Sequence, residues 1–206
     1  MSEPQDLEQD PFAAGMNARR LEAFTDGVVV IIITIMVLQL RVPNEGTLAA
    51  LRESAPVLLA YLLSFINVGL YWNNHHHLMH AAGRIDGRVL WANLFLLFWL
   101  SLVPFVIRWL DASDYSAMAR AAYGVVLGMA AVGYSLTERM IIACNGRRSV
   151  LARALGCDHK SQISILLYGL AIPIAFLARP VAIAFYLMII LLWIVPDRRI
   201  EVILRE

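Results

Sequence analysis

Cysteine is scarce in this chain. Its 206 residues include two cysteines, Cys144 and Cys157, both in or beside one charged loop, and two thiols make no disulfide framework. Charge is sparse as well: 16 % of residues are Asp, Glu, Lys or Arg, gathered in short islands. The formal net charge is +1 and no basic cluster carries interleaved aromatics, which argues against a nucleic-acid partner. There is no HExxH signature and no nucleophile–base constellation, so a membrane enzyme has no support. No internal repeat or low-complexity linker divides the chain. Residues 1–17 lack a basic leader and a small-residue cleavage site, and Glu3, Asp6, Glu8 and Asp10 make them acidic. They read as a disordered cytoplasmic tail over 1–18, followed by one six-helix membrane domain over 19–206.

Apolar length is abundant instead. The chain is 60 % hydrophobic with a mean hydropathy of +0.66. Between the charged islands lie apolar stretches of about 17 to 25 residues, the length that crosses a bilayer core. Lipid offers no partner to an unpaired backbone group, so such stretches are helices. The expected class is all-α and polytopic, with six transmembrane helices. They cover roughly 20–40, 56–79, 89–107, 116–144 and 161–178, with a tight turn at Arg179 and Pro180 into a sixth that ends at 195–197. Gly124 and Gly128 on helix four have the spacing that lets two helices approach closely. With the N-terminus inside, 12 Lys and Arg residues fall on the inner side and 5 on the outer: Arg41, Arg52, Arg108, Arg120 and Arg179. The positive-inside rule then places both termini in the cytoplasm of a cell whose inner (plasma) membrane holds the protein.

Topology gives the polar residues a shared depth. Helix one begins at the inner face, helix two ends there, and helix three begins there. Arg20, Thr25 and Asp26, then Asn73, Asn74, His75, His76 and His77, then Asn93, are far apart in sequence but expected to be close in space. An ionisable group at membrane depth needs a partner, and imidazole, amide and guanidinium groups can supply Asp26 with donors. One account of this set is packing glue that orients helices. The other is a gate support or a proton-sensitive element.

Four of the five histidines, His75, His76, His77 and His80, cluster at the end of helix two. His76 and His80 lie one turn apart, and two helical histidines can hold zinc. A catalytic site needs a third ligand, and the sequence identifies none, so no metal site is assigned. On helix one, Ile31, Ile35 and Leu38 form an i, i+4, i+7 stripe with Thr34 beside it. Val30, Ile32 and Ile33 are equally apolar, so periodicity alone does not say what the stripe faces.

From Arg20 through Phe24, Thr25 and Asp26 to Gly27, the chain resembles the bacterial relatives of the lysosomal potassium channel called transmembrane protein 175. That family carries Arg, three residues, then Phe-Ser-Asp on helix one; here Thr25 keeps the hydroxyl and adds a methyl. Trp72, Asn73, Asn74, His75 and His76 match a second motif. Asn93-Leu94, Leu102-Val103-Pro104-Phe105 closing helix three, and Trp193 with Pro196-Asp197-Arg198 give further support. The resemblance implies a homotetramer in the bilayer, with a central pore lined by helix one that passes monovalent cations and prefers potassium. It implies no cofactor beyond the permeant ion, and none of the TVGYG filter of ordinary potassium channels, which this chain also lacks. It places a hydrophobic constriction at Ile31, with Ile35 and Leu38 as the next pore-facing positions and Thr34 beside them. It ties Arg20, Phe24, Thr25 and Asp26 to the helix-two region of Trp72, Asn74, His75 and His76; the shared depth adds Asn93 to this helix-packing and gate-support network. A proton-coupled secondary transporter is the alternative, with Asp26 and the histidines as proton carriers. Transporters of that kind commonly show internal repeats and broken midplane helices, and neither is evident here.

The orientation is testable directly. A reporter active only in the periplasm, fused after Glu206, is expected to be silent; activity from that fusion reverses the assignment.

Overall fold

The computed structural model describes residues 18–43, 45–146 and 159–194. The tail, Cys157, and the Pro196-Asp197-Arg198 ending lie outside the described residues. Those described form helices and no strand. In chain order they are α1 (Ala18–Leu38), α2 (Leu48–Glu53), α3 (Ala55–His80), α4 (Gly87–Ser101), α5 (Val103–Ala112), α6 (Ala117–Asn145), α7 (His159–Leu177) and α8 (Arg179–Ile194). Five crossings are long and apolar enough to span a bilayer: α1, α3, α4 with α5, α6, and α7 from Lys160. The sixth, α8, is apolar and 16 residues long.

Two elements differ from the sequence expectation. Helix three is not one rod over 89–107, nor does its Leu102-Val103-Pro104-Phe105 segment close it. The helix breaks at Leu102, whose N–H turns back to the Trp99 carbonyl at 3.2 Å, and resumes as α5 to Ala112. Pro104 explains the break, because it has no N–H to give and its ring crowds the preceding turn. The second difference is α2, a short helix started by the Thr47 hydroxyl, which accepts the Ala50 N–H at 3.2 Å. The turn before α8 falls at Ala178, so Arg179 and Pro180 are that helix's first residues, where proline is tolerated.

Contacts between helix ends agree with alternating crossings. At one end Arg41 pairs with Asp111 at 2.6 Å and Arg108 donates to Gln39 at 3.3 Å. Arg120 there donates to the Tyr115 carbonyl and, at 2.7 Å, to the Ala175 carbonyl. The Arg179 guanidinium lies 5.0 Å from the centre of the Tyr115 ring. Burial, with Asp111 adding to it, pushes the Tyr115 phenol up to about 12, so that ring stays neutral under the cation. Four of the five arginines that the sequence reading assigns to the outer side are thus gathered at one end. At the other, Asn145 clasps Arg84 through both backbone groups at 2.8 and 2.9 Å.

The α6 helix is the central post, packed by α4, α5, α7 and α8. Glycines make those approaches close. A Cβ on Gly128 would stand 3.0 Å from the Tyr168 Cβ, and one on Gly124 would stand 2.5 Å from the Tyr186 hydroxyl. Gly133 is tighter in kind, since a Cβ there would meet the Leu96 backbone on α4 at 2.8 Å. Backbone cannot rotate aside. Gly133→Ala is therefore expected to lower stability by about 1–3 kcal/mol. Gly169→Ala is the comparison, with nothing within 4 Å of its added methyl. Thermal melting of the two purified variants checks this, and equal melting temperatures would contradict it.

Candidate functional site

The first helix has two faces with different fates. Leu21, Thr25, Val29, Ile32 and Met36 are its buried residues, one stripe that packs on α3, α4 and α5. Phe24, Val30, Ile31, Thr34, Ile35, Val37 and Leu38 are exposed. At about 100° per residue they occupy an arc of about 160° that the rest of the described chain leaves uncovered. The numbers are decisive at adjacent positions: Ile31 is 57 % exposed and Ile32 3 %. Thr34 turns its hydroxyl proton back to the Ile31 carbonyl at 2.9 Å, the ordinary way for a threonine to satisfy itself on an apolar helix.

What fixes that rotation is a buried polar chain through three helices. Asn93 on α4 donates its amide N–H to the Thr25 hydroxyl on α1 at 2.9 Å, and its carbonyl oxygen meets the His75 Nε2 on α3, also at 2.9 Å. The carbonyl can only accept, so this bond selects the His75 tautomer with its proton on Nε2. Thr25, Asn93 and His75 are all at most 2 % exposed. Beside this chain, the Trp72 indole N–H donates to Asp26 at 2.8 Å. The donor for Asp26 is thus an indole, not the imidazole, amide or guanidinium anticipated. The His76 Nδ1 meets Glu22 Oε1 at 2.6 Å, with the His80 Nδ1 at 3.4 Å from the same oxygen.

The structure brings Thr25, Asp26, Trp72, His75, His76 and Asn93 into these contacts. It does not bring in Arg20 or Phe24, both exposed, nor Asn74. The Asn74 side chain donates to Leu70 of its own helix at 2.7 Å, and its backbone carbonyl accepts from the Tyr134 hydroxyl on α6 at 3.5 Å. Glu22 was missed by sequence reasoning, although it lies one turn before Asp26 and at the depth of the histidines. A second polar row was missed too. Ser64 meets Tyr123 at 3.0 Å, Asn67 donates to Tyr168 at 3.2 Å and Tyr71 donates to the Leu127 carbonyl at 3.3 Å. Ser64, Asn67, Tyr71 and Asn74 repeat at three- and four-residue steps, a polar stripe that the 3.6-residue period makes visible in hindsight.

Apolar crossings joined by buried polar bridges define a multi-pass α-helical membrane protein. The family described as endosomal/lysosomal potassium channel TMEM175 matches residues 20–104, the segment that holds both the two-faced helix and the polar chain. A potassium channel from Chryseobacterium sp. (strain P1-3) is 48 % identical over 191 residues, covering 93 % of this chain and all of the relative. One from Streptomyces collinus (strain DSM 40733 / Tue 365) is 29 % identical over 184 residues, 80 % of this chain and 85 % of that one. The crystal structure of a lysosomal potassium-selective channel TMEM175 homolog from Chamaesiphon minutus has the same fold. It superposes with a TM-score of 0.76 over 87 % of this chain and 97 % of that one, at 23 % identity. The chain belongs to the TMEM175 family and groups with its bacterial members.

Removing the middle of the polar chain should unlock helix one. Asn93→Leu leaves the His75 imidazole and the Thr25 hydroxyl buried and unpaired, at about 1–3 kcal/mol for each orphaned group. The expected result is a lower melting temperature for purified protein, with Thr25→Val added to Asn93→Leu recovering part of the loss. A double variant that melts below the single one would contradict the bridge.

Proposed function

We propose that the chain is a potassium-preferring cation channel, that four copies surround the conduction path, and that α1 lines it. The observation that carries the reading is the division of α1. One face is fastened inward by Thr25, while Ile31, Thr34, Ile35 and Leu38 lie on the arc the subunit does not cover. In support, the relative from Chryseobacterium that this chain spans from end to end is named a potassium channel. The basic-residue asymmetry favours the inner membrane with both termini cytoplasmic. In this reading the tail of residues 1–18 is cytoplasmic and 19–206 form the channel domain, with no catalytic residue and no cofactor.

The mechanism follows from ring chemistry. Four Ile31 side chains around an axis make a narrow apolar neck. An ion there must shed water with no oxygen to replace it, so the closed neck dewets and blocks. Outward or rotational movement of α1 opens it. The Thr34 hydroxyl commits its proton to the Ile31 carbonyl, which leaves oxygen lone pairs for a partly dehydrated cation. Potassium gives up water more readily than sodium, which favours it at such a neck. The Thr25–Asn93–His75 chain and the Trp72–Asp26 bond support the gate from behind, by holding α1 at its rotation.

The test compares adjacent residues in a planar bilayer under a potassium/sodium gradient. Ile31→Asn is expected to raise current and to lower potassium preference, with roughly tenfold more flux for each 1.4 kcal/mol taken from the barrier. Ile32→Asn, the same change in hydropathy, puts an amide at a site 3 % exposed and is expected to cost about 1–3 kcal/mol of stability without freeing the neck. Discrete steps from wild-type protein support a channel, and saturating stepless flux a transporter. Equal effects of the two substitutions on current would mean that α1 does not line the path as proposed.

A further inference from the structure

Glu22, His76 and His80 meet at the end of the bundle where α1 begins and α3 finishes. Their ligand atoms all lie within 4.8 Å of one another. We propose that these three side chains bind a divalent transition-metal ion, with zinc the best-fitting one, and that the ion staples the first turns of α1 to the last turn of α3.

The donor set and its spacing argue for this. His76 and His80 are one turn apart on α3, so their imidazoles rise on the same side of the helix, with ring centres 4.2 Å apart. Two imidazoles from one helix are an incomplete site. Glu22, 54 residues away from His76 in sequence, supplies the third ligand that the sequence alone did not identify. Zinc bonds to nitrogen and carboxylate oxygen are about 2.0–2.2 Å, so neighbouring ligands of a tetrahedral ion stand about 3.3 Å apart. The His80 Nδ1 already stands 3.4 Å from Glu22 Oε1. The His76 Nδ1 stands at 2.6 Å, a hydrogen bond whose proton an incoming ion would displace. Opening that contact by about 0.7 Å brings it to the same spacing, and the two imidazole nitrogens lie within 4.8 Å of one another.

The surroundings suit an ion that keeps an open position. His80 is exposed and His76 partly so, which leaves a path for entry and room for a water as fourth ligand. Trp72 lies nearly parallel to the His76 ring, 25° apart in plane and 6.1 Å between centres, and its own N–H is held by Asp26 at 2.8 Å. That outer support orients a ligand before the metal arrives. Imidazole with a single carboxylate selects zinc, copper or nickel over magnesium or calcium, which prefer all-oxygen sites. The site is separate from the buried bridge, where His75 bonds Asn93, and it does not depend on the channel reading.

The measurement is isothermal titration of zinc chloride into tag-free, chelator-washed protein in detergent, with melting temperature followed in parallel. Wild type is expected to bind one zinc per chain and to melt higher with zinc than without. His80→Ala and Glu22→Gln should each weaken binding at least about tenfold, the usual order for loss of a ligand or its close support, and should abolish the melting shift. His77→Ala, a histidine of the same turn outside the set, should leave both unchanged. His80 is exposed, so its variant keeps the test valid should Glu22→Gln fail to fold. No zinc binding by wild type, unaltered binding in His80→Ala, or equal loss in His77→Ala would overturn the proposal.

Discussion

A polar side chain inside a bilayer has no water to turn to, and the arrangement of this protein depends on how that constraint is met at Asn93. It sits on α4, fully buried, with one amide group facing α1 and the other facing α3. Its donor side takes the Thr25 hydroxyl and its acceptor side takes the His75 N–H. Apolar packing alone would let α1 turn about its axis with little penalty, because isoleucine and valine surround it. The bridge opposes that freedom, because turning α1 would take the Thr25 hydroxyl away from the Asn93 amide.

Fixing α1 from one side gives meaning to the other. Because Thr25 points inward, Ile32 and Met36 follow it into the bundle, and Ile31, Thr34, Ile35 and Leu38 are left facing out. Exposed apolar residues are ordinary on a membrane protein, where lipid covers them. Those on α1 stand opposite a face that is fastened to its neighbour by the Thr25–Asn93 bond. This division of α1, fastened at its back with a threonine among the isoleucines of its front, is the feature on which the proposed channel reading rests.

The glycines of α6 and the proline of α5 show the same economy of cause. Gly124, Gly128 and Gly133 let α7, α8 and α4 come close to the central helix, and the third of these meets backbone, which leaves no room to adjust. Pro104 interrupts the third crossing at Leu102, and the helix resumes at Val103. The resemblance placed the end of helix three at this proline. A proline limits hydrogen bonding locally, but apolar residues on both sides keep the chain in the membrane, and so the crossing continues.

Crossing helices were legible because hydrophobic length is a local property. Twenty apolar residues in water-free surroundings have one way to satisfy their backbone, whatever their neighbours do. The shared depth of Asp26, His75, His76 and Asn93 was legible for a related reason: alternating crossings fix height along the membrane normal. Rotation about each helix axis is another matter, since it depends on which groups on other helices find partners. Whether Asp26 took an imidazole or the Trp72 indole was decided by packing, and so was the separation of Asn74 from its neighbours His75 and His76. Glu22 looked like one acidic residue among several in the chain's first part, and only the tertiary structure brought it against His76 and His80. Sequence by itself determined what lies in the membrane and at what height; tertiary structure decided which way each side chain faces, because that choice is made by hydrogen-bond partners that stand on different helices.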